Sequence, residues 1–221
     1  MVKTDTSRDR SDARNTPVAG LVLAAGAGSR FGRPKALVRG ADGVPWLVRA
    51  VGVLRAAGCS PVLVVLGAEG TAAEALVGDA GLLEDGAVVV HAGDWAEGLS
   101  ASLRAGIGAA LEIVAVAAQT EAPAALVVVP VDVPDLDAAT VLRVLNPGEG
   151  VNRDSLRQAV FGGRPGHPVL IGRAHWEPLR AALTGDTGAR PYLLAHGVLA
   201  VECGDLTTGV DVDTSSAPGP A

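Results

Sequence analysis

A glycine-rich, basic loop near the N-terminus has the composition of an anion-binding site. It reads Leu23-Ala-Ala-Gly-Ala-Gly-Ser-Arg-Phe-Gly-Arg-Pro-Lys35 and directly follows a short apolar run. Its glycines allow tight turns that bring backbone N–H groups close to a ligand, as phosphate oxygens require. Arg30, Arg33 and Lys35 add positive charge immediately after those glycines. The composition and spacing therefore predict a loop that binds phosphate groups.

Two familiar glycine-rich motifs do not fit this loop. A P-loop needs Gly-Lys-Ser/Thr at the start of a helix, and the loop lacks that tripeptide. A dinucleotide-binding turn needs a shorter spacing between its last two glycines and then an uninterrupted helix, whereas Pro34 breaks the helix here. An ordinary tight turn with solvated basic side chains is the alternative that the loop alone leaves open.

Acidic residues follow two other segments in positions suited to a metal ion. Asp132 ends the apolar run Val127-Val-Val-Pro-Val, and ligands of open α/β sheets bind at such strand ends. Asp211 and Asp213 alternate with valines, so an extended chain would direct both acids to one side, where a cation would offset their repulsion. A turn or helix cap for Asp132, and a solvated tail for the other two acids, are the alternatives.

The elements that must position these residues follow a βα rhythm. Short β-branched runs alternate with longer Ala/Leu/Arg segments, which predicts an α/β fold with a mainly parallel sheet. The predicted strands span residues 18–24, 61–66, 87–91, 125–131 and 198–202. The predicted helices span residues 45–57, 98–118 and 137–145, the last with Asp137 as N-cap. Gly, Pro, Arg and Asn interrupt the rhythm over residues 146–168, where we expect an irregular active-site flap.

Length and composition narrow the class of protein. The 221 residues favour one domain, predicted over residues 17–214 between disordered tails at 1–16 and 215–221. A formal charge of −6 with 3% aromatic residues predicts no nucleic-acid partner. We find neither an apolar run of about 18 residues nor a signal-peptide core, so we predict a cytoplasmic protein with no membrane partner. Cys59 and Cys203 lack metal-ligand spacing and are expected to be reduced, packed thiols.

The loop resembles the L-A-A-G-x-G-x-R-x-G-x-P-K motif of the nucleotidyltransferases that include molybdenum cofactor cytidylyltransferase and the diphosphocytidyl-methylerythritol synthases. Every fixed position of the motif is matched. The resemblance implies a Rossmann-like three-layer α/β/α nucleotidyltransferase fold. It also implies that Arg30 holds the triphosphate and that Lys35 stabilises charge at the α-phosphate. The implied nucleotide-binding residues are Leu23, Ala24, Ala25, Gly26, Gly28, Ser102 and Asp132.

Resemblance to the same family implies a magnesium site and an acceptor site. The second acid of a family Asp-x-Asp-Thr stretch matches Asp213, which would bind Mg²⁺ together with Asp132. That stretch usually continues Pro-Glu-Asp-Leu, whereas this chain continues Ser-Ser-Ala-Pro. Ser102 lies in a W-x-x-G-x-x-x-S-L-x-x-G segment near base and ribose. A Gly-His-Pro element and a Gly-Asp-Thr-Gly-Ala-Arg element supply the implied acceptor-binding residues His167, Asp186 and Arg190.

The implied reaction transfers CMP from CTP to a phosphorylated acceptor, with molybdopterin favoured, and it releases pyrophosphate. The Ala-Ala-Gly form of the loop resembles cytidylyl rather than guanylyl enzymes, and a molybdoenzyme is the expected recipient of the product. Guanylyl transfer to molybdopterin and nucleotidyl transfer to a sugar phosphate or phospholactate are alternatives within the class. A GT-A-like glycosyltransferase using Asp211 and Asp213, and a non-catalytic nucleotide or pterin carrier, are the alternatives outside it.

Overall fold

The computed structural model describes residues 16–29, 31–118 and 121–213. All strands of these residues lie in one seven-stranded sheet. The order across the sheet is β3-β2-β1-β4-β6-β5-β7. Only β6 is antiparallel to its neighbours, so the predicted mainly parallel sheet is confirmed. The strands are β1 Val18–Ala24, β2 Val62–Leu66, β3 Ala87–His91, β4 Ala125–Pro130, β5 Leu156–Phe161, β6 Arg164–Gly172 and β7 Leu199–Glu202.

Helices cover both faces of the sheet, which confirms the three-layer arrangement. The central strands are apolar on both faces, as strands buried on both sides must be. Val22 and Val127 pack on one face with α1 Trp46–Ala56, α2 Gly70–Asp79 and α4 Ala138–Leu145. Leu21 and Leu126 pack on the other face with α3 Leu99–Val116, α5 Trp176–Ala182 and α6 Arg190–Ala195.

In the described part of the chain, one helix, α3, has the length and the apolar composition that crossing a membrane would require. Its contacts are those of a core helix. Leu103 and Ile107 lie in the apolar cluster beneath the sheet. Gly106 lets α3 approach the sheet closely, because an added Cβ there would lie 2.6 Å from a methyl group of Leu21.

The prediction of an irregular flap over residues 146–168 is wrong, because β5 and most of β6 occupy its second half. Gly162 and Gly163 join the two strands with φ angles of 59° and 78°, as a two-residue hairpin turn requires. Pro165 and Pro168 in β6 led to the prediction of an irregular segment, because proline is uncommon within strands. They precede Val169, where pairing with β4 begins, so they need not donate hydrogen bonds to β4.

The remaining loop, residues 146–155, is held to the sheet by a buried arginine. The guanidinium of Arg157 on β5 donates to the carbonyl groups of Leu145, Glu149 and Gly150. Burial lowers the pKa of this guanidinium, but its carbonyl partners satisfy its donors. The loop is therefore anchored at one end by a core residue.

Several smaller predictions are also tested by the fold. Asp137 caps α4 as predicted, because its Oδ1 accepts a hydrogen bond of 2.7 Å from the N–H of Thr140. Cys59 and Cys203 are both buried and free, and burial raises the pKa of the Cys59 thiol to about 12. The elements α2, α5 and α6 were not predicted. The domain limits stay a prediction, and of the predicted tails at 1–16 and 215–221 all but residue 16 lie outside the described residues.

Candidate active site

Two adjoining cavities open beyond the carboxyl ends of β1 and β4, where a parallel sheet presents its ligand-binding edge. Both are lined by Leu23, Leu99, Pro130 and Asp132, so the two spaces meet at Asp132. The first cavity, of about 520 Å³, is lined further by residues 24–29 with Phe31, Lys35, Trp95, Ala96, Gly98, Ser102, Val131, Asp186 and Asp213. The second cavity, of about 430 Å³, is lined by residues of β4, β5, β6, α3 and α6 and by residues 209 and 211.

The loop after β1 presents free backbone donors to the first cavity. The carbonyl of Gly28 accepts hydrogen bonds of 2.8 and 2.9 Å from the N–H groups of Phe31 and Gly32, which closes the turn. The N–H groups of residues 26–29 donate to no other described residue. They are therefore available to an anion, and phosphate binding by the loop stays a prediction. Arg30, the predicted triphosphate ligand, lies outside the described residues.

Replacing Gly28 with alanine is expected to disrupt this loop. Gly28 has a φ of +61°, and an added Cβ would lie 2.0 Å from the carbonyl oxygen of Arg33. We expect a loss of about 1–3 kcal/mol of unfolding free energy and a higher KM for the nucleotide. Urea unfolding and steady-state kinetics measure the two effects.

Gly26→Ala is the matched folding control, because an added Cβ there meets nothing within 4 Å. Its unfolding midpoint should equal that of the wild type. Equal midpoints for Gly28→Ala and Gly26→Ala would show that the left-handed turn does not hold the loop.

Lys35 joins the two acids predicted to bind metal. Its Nζ donates to Asp132 Oδ2 at 2.7 Å and to Asp213 Oδ1 at 2.9 Å. The exposed side-chain fractions are 16% for Lys35, 19% for Asp132 and 57% for Asp213. Burial lowers the pKa of Lys35, but the hydrogen bonds and charges of the two acids outweigh it and leave the pKa above its ordinary value. The ammonium group is therefore charged at neutral pH.

The C-terminal segment is tied to the end of β4 by contacts that sequence reasoning missed. The N–H of Val212 donates to the Asp132 carbonyl at 2.9 Å. Thr208 donates to Asp135 Oδ2 through its N–H at 2.8 Å and its hydroxyl at 2.6 Å. Asp213 thereby reaches the first cavity, whereas Asp211 lines the second. The expectation that these two acids face one common site is wrong, because they line separate cavities.

The acids fit a divalent ion bound jointly with a nucleotide. Mg²⁺ prefers oxygen ligands and is usually held by one or two carboxylates together with substrate phosphates. Asp132 and Asp213 both contact one ammonium group, so they lie close together beside the donors of the glycine loop. In the described part of the chain no group of three or more His, Cys, Asp or Glu residues forms a complete protein cage. The donor set therefore suits a metal that arrives with phosphate groups.

Ser102 and Asp186 both line the first cavity. Ser102 is buried on α3, and its place near base and ribose stays a prediction. Asp186 was predicted to bind the acceptor, but it also lines the first cavity. Its Oδ1 accepts a hydrogen bond of 2.9 Å from the N–H of Leu99, the first residue of α3. Asp186 thus caps a helix remote in sequence.

Removing this cap is expected to destabilise the protein modestly. We expect Asp186→Ala to lower the unfolding free energy by about 1 kcal/mol, because the N–H of Leu99 loses its acceptor. The measurement is the urea midpoint at an unchanged slope. Asp186→Asn retains a side-chain oxygen and should keep most of the stability. An equal loss in both variants would contradict a hydrogen-bonded cap.

The other two predicted acceptor residues lie in the second cavity. His167 Nδ1 is 3.3 Å from the carbonyl oxygen of Val128, which can only accept, so Nδ1 carries the proton. Burial lowers the pKa of His167, which keeps the ring neutral and leaves Nε2 as an acceptor. Arg190 begins α6 and lines the second cavity, and its side chain has no hydrogen bond or ion pair with another described residue. The second cavity thus offers a neutral imidazole and a cation.

Comparison with protein families gives a match over most of the chain. The family described as MobA-like NTP transferase domain matches residues 20–200. A relative named nicotine blue oxidoreductase, from Paenarthrobacter nicotinovorans, is 34% identical over 210 residues. That alignment covers 89% of this chain and 92% of the relative.

Solved structures with similar folds cover almost the same length. Rv0371c from Mycobacterium tuberculosis H37Rv is 29% identical with a TM-score of 0.64, over 90% of this chain and 94% of that one. A structure of Rv0371C in complex with manganese, at 25% identity, has a TM-score of 0.64 over 89% of this chain and 94% of that one. A Methanothermobacter nucleotidyl transferase, at 22% identity, shares the fold, with a TM-score of 0.67 over 90% and 93% of the two chains.

Proposed function

The chain belongs to the MobA-like NTP transferase domain family and is a nucleotidyltransferase, and on this premise we propose that it transfers CMP from CTP to molybdopterin and releases pyrophosphate. The family match confirms the enzyme class and the nucleotidyltransferase fold that the loop motif indicated. The identities of the nucleotide, the acceptor and the metal ion are the part that we propose.

One arrangement carries this proposal: Lys35, Asp132 and Asp213 meet where the two cavities join. The first cavity has the free N–H groups of the glycine loop and suits a triphosphate. The second cavity opens from the other side of Asp132 and has room for a second substrate. Bond formation between the two substrates is therefore expected at Asp132 and Lys35.

The residues support in-line attack of an acceptor phosphate oxygen on the α-phosphorus. A phosphate group is already ionised at neutral pH, so positioning and charge stabilisation suffice without a general base. Lys35 would stabilise charge at the α-phosphate, and the loop with Arg30 would hold the β- and γ-phosphates. Asp132 and Asp213 would hold Mg²⁺, which when bound offsets the charge of the triphosphate. The manganese complex of Rv0371C supports a divalent ion.

The choice of substrates rests on the motifs and on the lining of the second cavity. The Ala-Ala-Gly form of the loop supports CTP, with Ser102 near the base and ribose. His167 and Arg190 line the second cavity and support a heterocyclic acceptor with an anionic group, as molybdopterin is. The product would pass to a molybdoenzyme in the cytoplasm. Guanylyl transfer and transfer to a sugar phosphate or phospholactate remain the alternatives within the class.

An oxidoreductase activity is a second candidate, favoured by the name of the Paenarthrobacter relative. The loop departs from the dinucleotide-binding turn in its glycine spacing and at Pro34, so the candidate rests on the relative's name and not on that motif. The two candidate functions can be distinguished by the products of their reactions. A transferase releases pyrophosphate from an NTP, whereas an oxidoreductase oxidises NADH or NADPH in the presence of an electron acceptor and releases none.

The test is pyrophosphate release by the purified full chain with Mg²⁺ and molybdopterin, compared for CTP, GTP, ATP and UTP. We expect release that is selective for CTP and that requires both the metal and the acceptor. Release with GTP alone would move the assignment to guanylyl transfer. Binding of CTP without release, across molybdopterin, a sugar phosphate and phospholactate as acceptors, would instead indicate a carrier.

A further inference from the structure

One row of paired residues across the sheet lines one side of the second cavity. Val128 on β4 pairs with Val169 on β6, and Val169 pairs with Gln158 on β5. All three side chains line the cavity, opposite Leu103 of α3 and Leu193 of α6. A slot between a pleated sheet face and leucine side chains suits a planar ring, with one polar residue, Gln158, at the end of the row.

Gln158 presents an acceptor to this slot. Its Nε2 donates to the carbonyl oxygen of Gly166 at 3.2 Å, and because a carbonyl only accepts, the amide orientation is fixed. Oε1 then has no hydrogen-bond partner among the described residues. It is not one of their fully buried, unsatisfied side-chain atoms either, so it keeps some exposed surface on a residue that lines the cavity.

Two other polar side chains that line the second cavity also donate their protons to backbone carbonyl groups. His167 gives its Nδ1 proton to the carbonyl of Val128, which leaves Nε2 as an acceptor. Thr187 gives its hydroxyl proton to the carbonyl of Thr184 at 3.1 Å. Asp211 supplies a carboxylate. Arg190 is the cation among the described lining residues, so the cavity has an acceptor-rich wall and one positive charge.

From this geometry we propose that Gln158 and His167 determine acceptor specificity by reading adjacent N–H donors on a planar heterocycle, namely the 2-aminopyrimidin-4-one edge. This inference rests on the proposed function, since it assigns the second cavity to the acceptor. Such an edge carries a ring N–H beside an amino group, and both pterins and guanine have it. Phospholactate has a carboxylate in place of such N–H donors. In the second cavity this negative group would lie beside hydrogen-bond acceptors and acidic side chains, which would disfavour binding.

The test compares matched ligands by calorimetry on the full chain, without nucleotide or metal. The probes are 6-hydroxymethylpterin and 6-hydroxymethyllumazine, in which an oxo group replaces the amino donor, with guanosine as a third probe. We expect the pterin to bind about 10- to 100-fold more tightly than the lumazine, because the lumazine leaves an acceptor unpaired. Preferential binding of guanosine would support the same edge and identify its source as guanine.

Two variants test the assignment of the residues. Gln158→Leu and His167→Phe each remove one acceptor, and each should bring the pterin and lumazine affinities to within about threefold. Glu177→Gln, at an exposed position of α5 outside the cavity, should retain the wild-type preference. Unchanged preference in both cavity variants, equal affinity of the wild type for both probes, or no pterin binding would overturn the proposal.

The readout is independent of catalysis. Pterin selectivity without pyrophosphate release would support the specificity role of Gln158 and refute the transferase reaction with molybdopterin. Rapid release with a sugar phosphate, accompanied by equal pterin and lumazine affinities, would do the reverse. The two proposals therefore fail separately.

Discussion

Replacing Lys35 with alanine is expected to lower kcat/KM for pyrophosphate release by about a hundred- to a thousandfold, the usual effect of removing one preorganised charge-stabilising donor. Lys35 Nζ lies within 3 Å of both acids at the junction of the cavities. Its loss removes the positive charge at the proposed position of the α-phosphorus. Steady-state kinetics with CTP, Mg²⁺ and acceptor measure this effect.

Metal and nucleotide binding should survive the same substitution. Without the ammonium group, Asp132 and Asp213 lose the positive charge that they share, and a divalent ion between them would offset their mutual repulsion. We therefore expect the affinity for Mg²⁺ with CTP to be unchanged or higher in Lys35→Ala. Arg39→Ala, which removes an exposed positive charge outside both cavities, is the control and should retain full activity. Loss of CTP binding together with turnover would show that Lys35 mainly holds the nucleotide.

Replacing Asp132 with asparagine is expected to abolish metal-dependent turnover. The substitution keeps the shape of the side chain but removes the charge of the acid that lines both cavities. Metal catalysis contributes several kcal/mol of charge stabilisation, so we expect kcat/KM to fall by at least about a hundredfold. A titration of activity with Mg²⁺ should also show a higher half-saturating concentration.

Asp211→Asn is the matched control for Asp132→Asn. Asp211 lies two residues before Asp213 but lines only the second cavity. Its replacement should leave the Mg²⁺ dependence unchanged, and any effect should fall on the KM for the acceptor. A shift of the Mg²⁺ curve in Asp211→Asn equal to that in Asp132→Asn would contradict our assignment of the metal site.

Local sequence predicted most of the positions that line the first cavity. The glycine loop could be predicted because its conformation depends on residues a few positions apart, such as Gly28 and its neighbours. Asp132 could be predicted because a buried strand that ends in an acid places that acid at the edge of the sheet. Asp137 was predicted as a cap because N-capping involves only residues of one helical turn.

Long-range contacts decided what the local pattern could not. Gly98 and Asp186 are distant in sequence, yet Asp186 caps the helix that follows Gly98 and lines the first cavity rather than the second. The separation of Asp211 from Asp213 depends on the bond between Val212 and the carbonyl of Asp132. No periodicity within the C-terminal segment contains that information.

The acceptor side shows the same limit most clearly. Pro165 and Pro168 made β6 look irregular, and the strand exists because β5 pairs with both of its halves while β4 pairs with residues 169–172. Gln158 had no motif of its own, and it becomes a candidate specificity residue only through its row with Val169 and Val128. The sequence by itself thus determined the family, the glycine-rich loop after β1 and the positions of β1 to β4 and β7 along the chain, because these depend on local composition and spacing. The tertiary structure alone decided which side chains share each cavity, because sheet pairing and helix packing join residues that are far apart in the chain.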